Sequence, residues 1–203
     1  MQNSHKGILI VISGFSGSGK GTVIHELMKN PRYALSISAT TRKPRVGEEE
    51  GVHYFFKSKQ EFQSMIEHKE LLEWAIFCDN YYGTPRQYVE EQLFNGKDVI
   101  LEIEVQGALQ IKEIFPECVL VFLTPPSFDI LRQRLEQRKT ENASIIEKRL
   151  YRAKEELEFM YDYDYIVIND ILSETIINVK NIIQAEHCKT ARNQIFIEKL
   201  KGE

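Results

Sequence analysis

The 203-residue sequence has little cysteine, and its three, Cys78, Cys118 and Cys188, stand far apart. An odd number without a C-x-x-C pair excludes a disulfide framework and a zinc knuckle, and leaves reduced thiols as the plain reading. The five histidines show no metal-ligand spacing and read as scattered surface or core residues. Long hydrophobic runs are missing as well. No segment offers the ~20 apolar residues that cross a bilayer. The early run Ile8 to Ile12 is too short for the core of a signal peptide and enters a glycine-rich turn directly. It reads as a buried strand, and without a targeting segment the cytoplasm is the expected location. A strong excess of one charge is also lacking. The net charge of −4 gives no general pull toward nucleic acid or an anionic membrane, so any basic cluster must be local and purposeful.

What is present is 42% apolar and 28% charged residues, enough for a buried core in one domain. Four apolar runs read as strands of a parallel sheet buried on both faces: Ile8 to Ile12, Val99 to Val105, Val119 to Leu123 and Tyr165 to Ile168. Ala34 to Ser38 is a weaker fifth. Helical patterns separate them, so the fold class is α/β with βαβ units. Ser127 is placed to cap a helix after Pro125-Pro126, and Ser144 to Glu147 reads as a capping box. Thr84-Pro85 reads as a cap with a first-turn proline, Gly96 as the end of that helix, and Ile171 to His187 as an amphipathic helix. Residues 38–88 differ. They open polar, with Gly and Pro punctuation, and continue rich in aromatics, which suggests an inserted substrate subdomain.

The run Gly14-Phe15-Ser16-Gly17-Ser18-Gly19-Lys20 follows a predicted strand and precedes a predicted helix. That setting marks a phosphate-binding loop. Backbone N–H groups must converge on anionic oxygens, glycine permits the turn, and the helix N-terminus adds partial positive charge. Lys20 then meets the terminal phosphates of a nucleoside triphosphate as a point charge. Position 21 is Gly, not Ser or Thr, so the usual magnesium-ligating hydroxyl is absent there, and Thr22 comes one place later. The loop alone does not separate motors, GTPases and kinases.

A second anion site is suggested by Ser38-Ala39-Thr40-Thr41-Arg42-Lys43-Pro44-Arg45-Val46-Gly47-Glu48, where three cations fall within four residues. Alone it would read as a solvated basic loop, the usual fate of such runs. The segment resembles the T-T-R-x-P-R-x-G-E motif of guanylate kinases. It is followed at family-like spacing by Gly51 to Phe56, Glu73-Trp74-Ala75, Asn80 to Thr84, Glu102 to Gly107, Pro125-Pro126-Ser127 and Asn169-Asp170. The similarity runs from about Gly7 to His187 and points to the bacterial type of this family.

The resemblance implies a P-loop NTPase core with a parallel sheet flanked by helices. The core is expected over 1–37, 89–135 and 152–203, with a GMP-binding subdomain at 38–88 and a lid at 136–151. It implies that residues 14–22, from Gly14 through Gly21 and Thr22, bind ATP, with Asn169 near the adenine, although a turn role fits Asn169 at a strand end almost as well. Arg42, Arg45, Tyr54 and Tyr82 would grip the GMP phosphate, and Ser38, Glu73 and Thr84 would read the guanine. A carboxylate accepts from guanine N1–H and the 2-amino group but would face a lone pair of adenine. Trp74 reads better as subdomain core. Glu104, where the family often has Asp, is implied near the guanine amino group and the metal. Arg134 and Arg138, four apart on one helix face, and Arg149 on the next helix would neutralise the transferring phosphoryl group. The family's R-G-T reads Arg138-Lys139-Thr140 here. Arg132 and Arg152 read as surface residues paired with glutamates.

The implied reaction is ATP + GMP ⇌ ADP + GDP, with dGMP as a second acceptor, Mg²⁺ as cofactor and no covalent intermediate. Catalysis would rest on Lys20, Arg42, Arg134, Arg138 and Arg149. No nucleic acid or membrane partner is expected, and a homodimer is left open. Two rivals share the features: a binding module that has lost the chemistry, and a kinase for another small acceptor. The intact loop with Lys20 speaks against the first, and Glu73 with the two arginines against the second.

Overall fold

The computed structural model describes residues 6–77, 79–137 and 143–203. Cys78, Arg138, Lys139 and Thr140 lie outside them. In chain order the elements are β1 (Leu9–Ser13), α1 (Lys20–Leu27), β2 (Tyr33–Leu35), β3 (Ala39–Thr40), β4 (Phe55–Phe56) and α2 (Lys59–Glu67). Next come β5 (Leu71–Phe77), β6 (Asn80–Pro85), α3 (Arg86–Phe94), β7 (Asp98–Glu102), α4 (Val105–Ile114) and β8 (Val119–Thr124). The chain ends with α5 (Phe128–Gln137), α6 (Ala143–Glu155), β9 (Tyr165–Ile168), α7 (Leu172–His187) and α8 (Gln194–Lys201). It divides into two compact units, Met1–Ser13 with Asn30–Leu120, and Gly14–Lys29 with Val121–Glu203.

In the first unit, β2, β7 and β1 run parallel, with Leu9 opposite Val99 and Tyr33 opposite Asp98. All five residues of β1 and the first four of β7 are buried, as expected for apolar, β-branched runs in a parallel sheet. The fully buried Asp98 carboxylate accepts the Ile8 N–H at 3.0 Å and stands 3.4 Å from Arg32 Nε, so a polar group fixes the entry to β1. Helix α3 closes on a Schellman motif: Gly96, at φ 76°, donates to Leu93 O, and Lys97 donates to Gln92 O.

The same unit holds a second sheet in the order β4-β3-β6-β5. Strands β5 and β6 form an antiparallel hairpin with a register shift between Leu71 and Trp74. Its core is Ala39, Phe62 and Leu71, with Phe55, Met65, Ile66 and Tyr81 packed on them. Phe62 comes from α2, which starts in a capping box: Glu61 N–H donates to Ser58 Oγ at 3.1 Å, and Ser58 N–H donates to Glu61 Oε2 at 2.7 Å.

In the second unit β8 and β9 pair in parallel, Val121 opposite Tyr165 through Thr124 opposite Ile168. Helix α1 packs on α7, and α5 on α6. Phe15 sets its ring edge-on to Phe122 at 5.0 Å, which anchors the glycine-rich loop in the core. Ser127 caps α5 as its sequence predicts, accepting from Ile130 N–H at 3.2 Å.

Several boundaries differ from the sequence reading. The strand expected over Val99 to Val105 ends at Glu102, because Glu104 becomes the extended N-cap of α4 and buried Val105 its first residue. The strand expected over Ala34 to Ser38 is Tyr33–Leu35. Thr84 does not cap α3. It belongs to β6, Pro85 is the N-cap, and the Thr84 proton goes to Glu73. Ser144 lies inside α6 and is not its cap.

Candidate functional site

Each unit assembles one cluster of the predicted site residues. In the second unit the glycine-rich loop leaves β1 and ends at Gly19, the N-cap of α1, with φ 93° and ψ 17°. That left-handed backbone favours glycine, and a Cβ there would also collide with Asn169 Nδ2. Lys20 folds back over the loop, its ammonium donating to Gly14 O at 2.7 Å and Phe15 O at 3.2 Å. The charge is therefore held at the loop's own backbone. Gly21 has open space where a side chain would stand, so glycine is not sterically required there.

Asn169 is buried at the end of β9. Its amide donates to Ser18 O at 2.8 Å, and its Oδ1 accepts from the buried Thr175 hydroxyl of α7 at 3.0 Å. Arg134 of α5 donates to the same Ser18 O at 3.3 Å and to Asn169 O at 2.8 Å. Thr175, Asn169 and Arg134 thus pin the loop from two directions, and the arginine is held with its charge beside it. Arg149 of α6 donates to the Ser16 hydroxyl on the loop. Next to these groups lies a cavity of about 370 Å³ with Gly17, Gly19, Thr22, Arg134, Gln137 and Asn169 in its walls. The two arginines read as surface residues are paired: Arg132 with Glu147, and Arg152 Nε with Glu156 at 3.2 Å. Arg138 lies outside the described residues.

The first unit gathers the acceptor candidates around the second sheet. Glu73 of β5 is 8% exposed, and Thr84 of β6 donates to its Oε1 at 2.6 Å. Burial pushes the Glu73 carboxyl above its ordinary 4.5, and the Thr84 hydroxyl and N–H oppose that rise. A buried carboxylate with one fixed oxygen suits a ligand that supplies paired donors. Gly107 of α4 lies against its other oxygen, Oε2.

Arg42 bonds Glu48 Oε1 at 2.8 Å, and its guanidinium carbon stands 5.4 Å from the Tyr54 ring centroid. The Tyr54 and Tyr82 rings meet edge-on at 6.1 Å. The bond from Arg42 and then the Arg45 N–H, at 2.7 Å, hold the Glu48 carboxyl down at about 2. The same Glu48 bond, with a smaller contribution from the Tyr82 hydroxyl, raises Arg42 above its already high value. Burial, then the Tyr82 charge, pushes the Tyr54 phenol up. Arg42, Tyr54 and Tyr82 therefore form one cationic corner with Glu48 as its counter-ion.

Arg45 is exposed, and its N–H donates to Glu48 Oε2 at 2.7 Å. Ser38 is half-buried, its carbonyl accepting from Phe55 N–H at 2.9 Å. Glu104 is exposed at the N-cap of α4. Trp74, read as subdomain core, stacks on Tyr81 at 5.9 Å but is 39% exposed, so it sits at the rim. Sequence reasoning did not single out Thr175, Gly107 or Glu48 as site residues. Only Glu48 carried a local signal, a carboxylate beside the arginine run. Among the described residues no group of three His, Cys, Asp or Glu is placed to hold a metal, and Gly21 supplies no hydroxyl. These side chains do not fit a resident metal site. Among the described residues no helix is long and apolar enough to cross a membrane.

The guanylate kinase family matches residues 6–186 of the chain. The guanylate kinase of Desulfitobacterium hafniense (strain Y51) is 52% identical over 193 residues, covering 95% of this chain and 96% of that protein. The guanylate kinase of Caldanaerobacter subterraneus subsp. tengcongensis is 48% identical over 204 residues, covering 100% and 99%. The crystal structure of guanylate kinase from Anaplasma phagocytophilum is similar at a TM-score of 0.74 and 34% identity, covering 93% of this chain and 90% of that one.

Proposed function

This chain belongs to the guanylate kinase family, and from that premise we propose that it transfers the γ-phosphoryl group of ATP to GMP, and to dGMP, giving ADP and GDP. The observation that carries the acceptor is the buried Glu73 carboxylate fixed by Thr84. It accepts the adjacent N1–H and 2-amino donors of guanine, whereas adenine would set a lone pair against it. Ser38 and Thr84 complete the base site, and Glu104, at the head of the helix that carries Gly107, serves the same side. Arg42, Arg45, Tyr54 and Tyr82 take the GMP phosphate. That anion would compete with Glu48 for Arg42, so Glu48 acts as a counter-ion that releases the arginine when GMP arrives.

On the donor side, the loop from Gly14 to Thr22 receives the ATP phosphates. The neighbouring cavity takes the nucleoside, and Asn169 serves as loop anchor and wall. Lys20, Arg134, Arg138 and Arg149 neutralise charge on the transferring group, and Arg42 orients the acceptor anion. Fixed cations of this kind lower the barrier because phosphoryl transfer spreads negative charge over the moving oxygens. Mg²⁺ enters with ATP as part of the substrate. Residues 38–88 form the acceptor subdomain in this reading, and 136–151 the lid. The site of action is the cytoplasm, where ATP and GMP occur together.

Release of ADP in a coupled assay, run with GMP, dGMP, AMP, CMP and UMP, tests the proposal. Turnover with the guanine nucleotides alone is expected. Equal turnover of AMP would remove the base-reading role of Glu73, and no turnover with any acceptor would leave a binding module.

A further inference from the structure

Gly107 is buried in the first turn of α4, three residues after the N-cap Glu104. Its φ is not among the positive values, so the backbone there makes no demand for glycine. Alanine is the better helix former at such a position. What an alanine would lack is room. A Cβ at 107 would stand 3.1 Å from Glu73 Oε2, 3.5 Å from Glu73 Cδ and 3.4 Å from Ile103 Cδ1. The first distance is tighter than ordinary van der Waals contact, so the carboxylate would have to give way. Glu73 is poorly placed to do so, because Thr84 holds Oε1 at 2.6 Å and the residue is 8% exposed. A retreat of Oε2 would strain or break the bond that orients the group.

We infer that Gly107 is a specificity-determining position of the acceptor site: the missing side chain keeps Glu73 Oε2 in place and uncovered for the second donor of a guanine edge. The inference rests on the reading of Glu73 as the base acceptor. With alanine at 107, Oε2 is displaced and the bond from Thr84 to Oε1 is strained, so the carboxylate no longer presents both oxygens to the base. Recognition then falls toward that of a base offering a single donor. The hypoxanthine nucleotide IMP is such a probe, since it keeps N1–H and lacks the 2-amino group.

The test is calorimetric titration of GMP, IMP and ATP into the wild type, Gly107→Ala and Glu73→Gln, with thermal unfolding alongside. Gly107→Ala is expected to weaken GMP about 10- to 100-fold, the loss of roughly one charge-assisted hydrogen bond. It should shrink the preference for GMP over IMP while ATP affinity holds. An unchanged GMP-to-IMP ratio overturns the inference. Glu73→Gln separates the two levels. If it leaves GMP binding intact, the reading of Glu73 fails. If it weakens GMP while Gly107→Ala does not, only the role of Gly107 fails. Should Gly107→Ala not fold, the double variant Glu73→Asp with Gly107→Ala shortens the side chain beneath the new methyl and is expected to fold. A double variant that is also unfolded would make 107 a backbone packing position and overturn the inference.

Discussion

Replacing Glu73 with glutamine separates binding from stability with the least change in shape. The side chain keeps its size, and Thr84 can still donate to Oε1 across the observed 2.6 Å. The other end becomes an NH₂ group, which would face the donors of guanine. One charge-assisted bond is lost and a donor is left against a donor. At about 1.5–3 kcal/mol for the bond and 1–3 kcal/mol for the unpaired group, the loss is roughly 3–5 kcal/mol, or about 10²- to 10⁴-fold in GMP affinity. The free protein should not suffer, because the variant no longer buries a charge.

The pH dependence gives a second signature of the same residue. The folded-state pKa of Glu73 is raised above 4.5, chiefly by burial. The carboxylate form therefore costs stability, and the group's favourable contribution, full below its unfolded-state pKa, is lost as pH rises through the raised folded value. GMP binding runs the other way, since it needs the carboxylate and weakens on acidification through that raised value. Calorimetric titration of GMP and ATP at neutral and mildly acid pH, with thermal unfolding, reads all three effects. Equal losses of GMP and ATP affinity in Glu73→Gln would refute the reasoning. So would identical pH profiles for variant and wild type.

Lys20→Ala should lower kcat by about 10²- to 10³-fold, the cost of removing one preorganised charge contact, while calorimetry still detects GMP binding. Normal turnover would mean that the loop is misassigned. Asn169→Ala removes the amide that pins Ser18 O and should destabilise the protein by about 1–3 kcal/mol and raise KM for ATP more than for GMP, read by thermal unfolding and steady-state kinetics. Thr175→Val, which takes away only the hydroxyl behind Asn169, should move the same two quantities in the same direction by less. Arg132→Ala should leave turnover and Tm unchanged, because its pair with Glu147 is solvent-exposed.

The parts of the fold visible in the sequence are those whose stabilisation is local or one-dimensional. The run Val119 to Leu123 announces a strand because burial on both faces demands unbroken apolar residues; Tyr165 to Ile168 forms the expected strand too, but Ile166 and Ile168 are exposed, against the burial expected on both its faces. Ser127 announces a cap because its partner is three residues away. The second sheet is hidden for the opposite reason. Strands β3 and β4 have two residues each, and β6 carries Gly83 and Pro85, which strands disfavour. Its cohesion comes from pairing with distant segments. Helix α2 is not among the expected elements, although Ser58 and Glu61 have capping-box spacing.

The candidate site divides along the same line. The glycine-rich loop with Lys20 reads directly from spacing, because its chemistry needs consecutive backbone groups. The Thr84–Glu73 bond spans 11 residues across a hairpin, and the Asn169–Ser18 bond spans 151. No local pattern encodes either. Thr84 shows the cost: a Thr-Pro pair before a helix looks like a cap, yet Thr84 lies in β6 with its hydroxyl donating to Glu73, and Pro85 is the N-cap. Gly107 is invisible for a further reason. A small residue in a helix carries no sign of what lies against it.

The central claim is that this chain moves a phosphoryl group from one nucleotide to another. Incubation with ATP labelled in the γ-phosphate and unlabelled GMP, followed by separation of the products, tests it most directly. The label is expected in the β-phosphate of GDP, at a rate that collapses in Lys20→Ala. Label recovered only as inorganic phosphate, or retained in ATP while GMP binds, would contradict it.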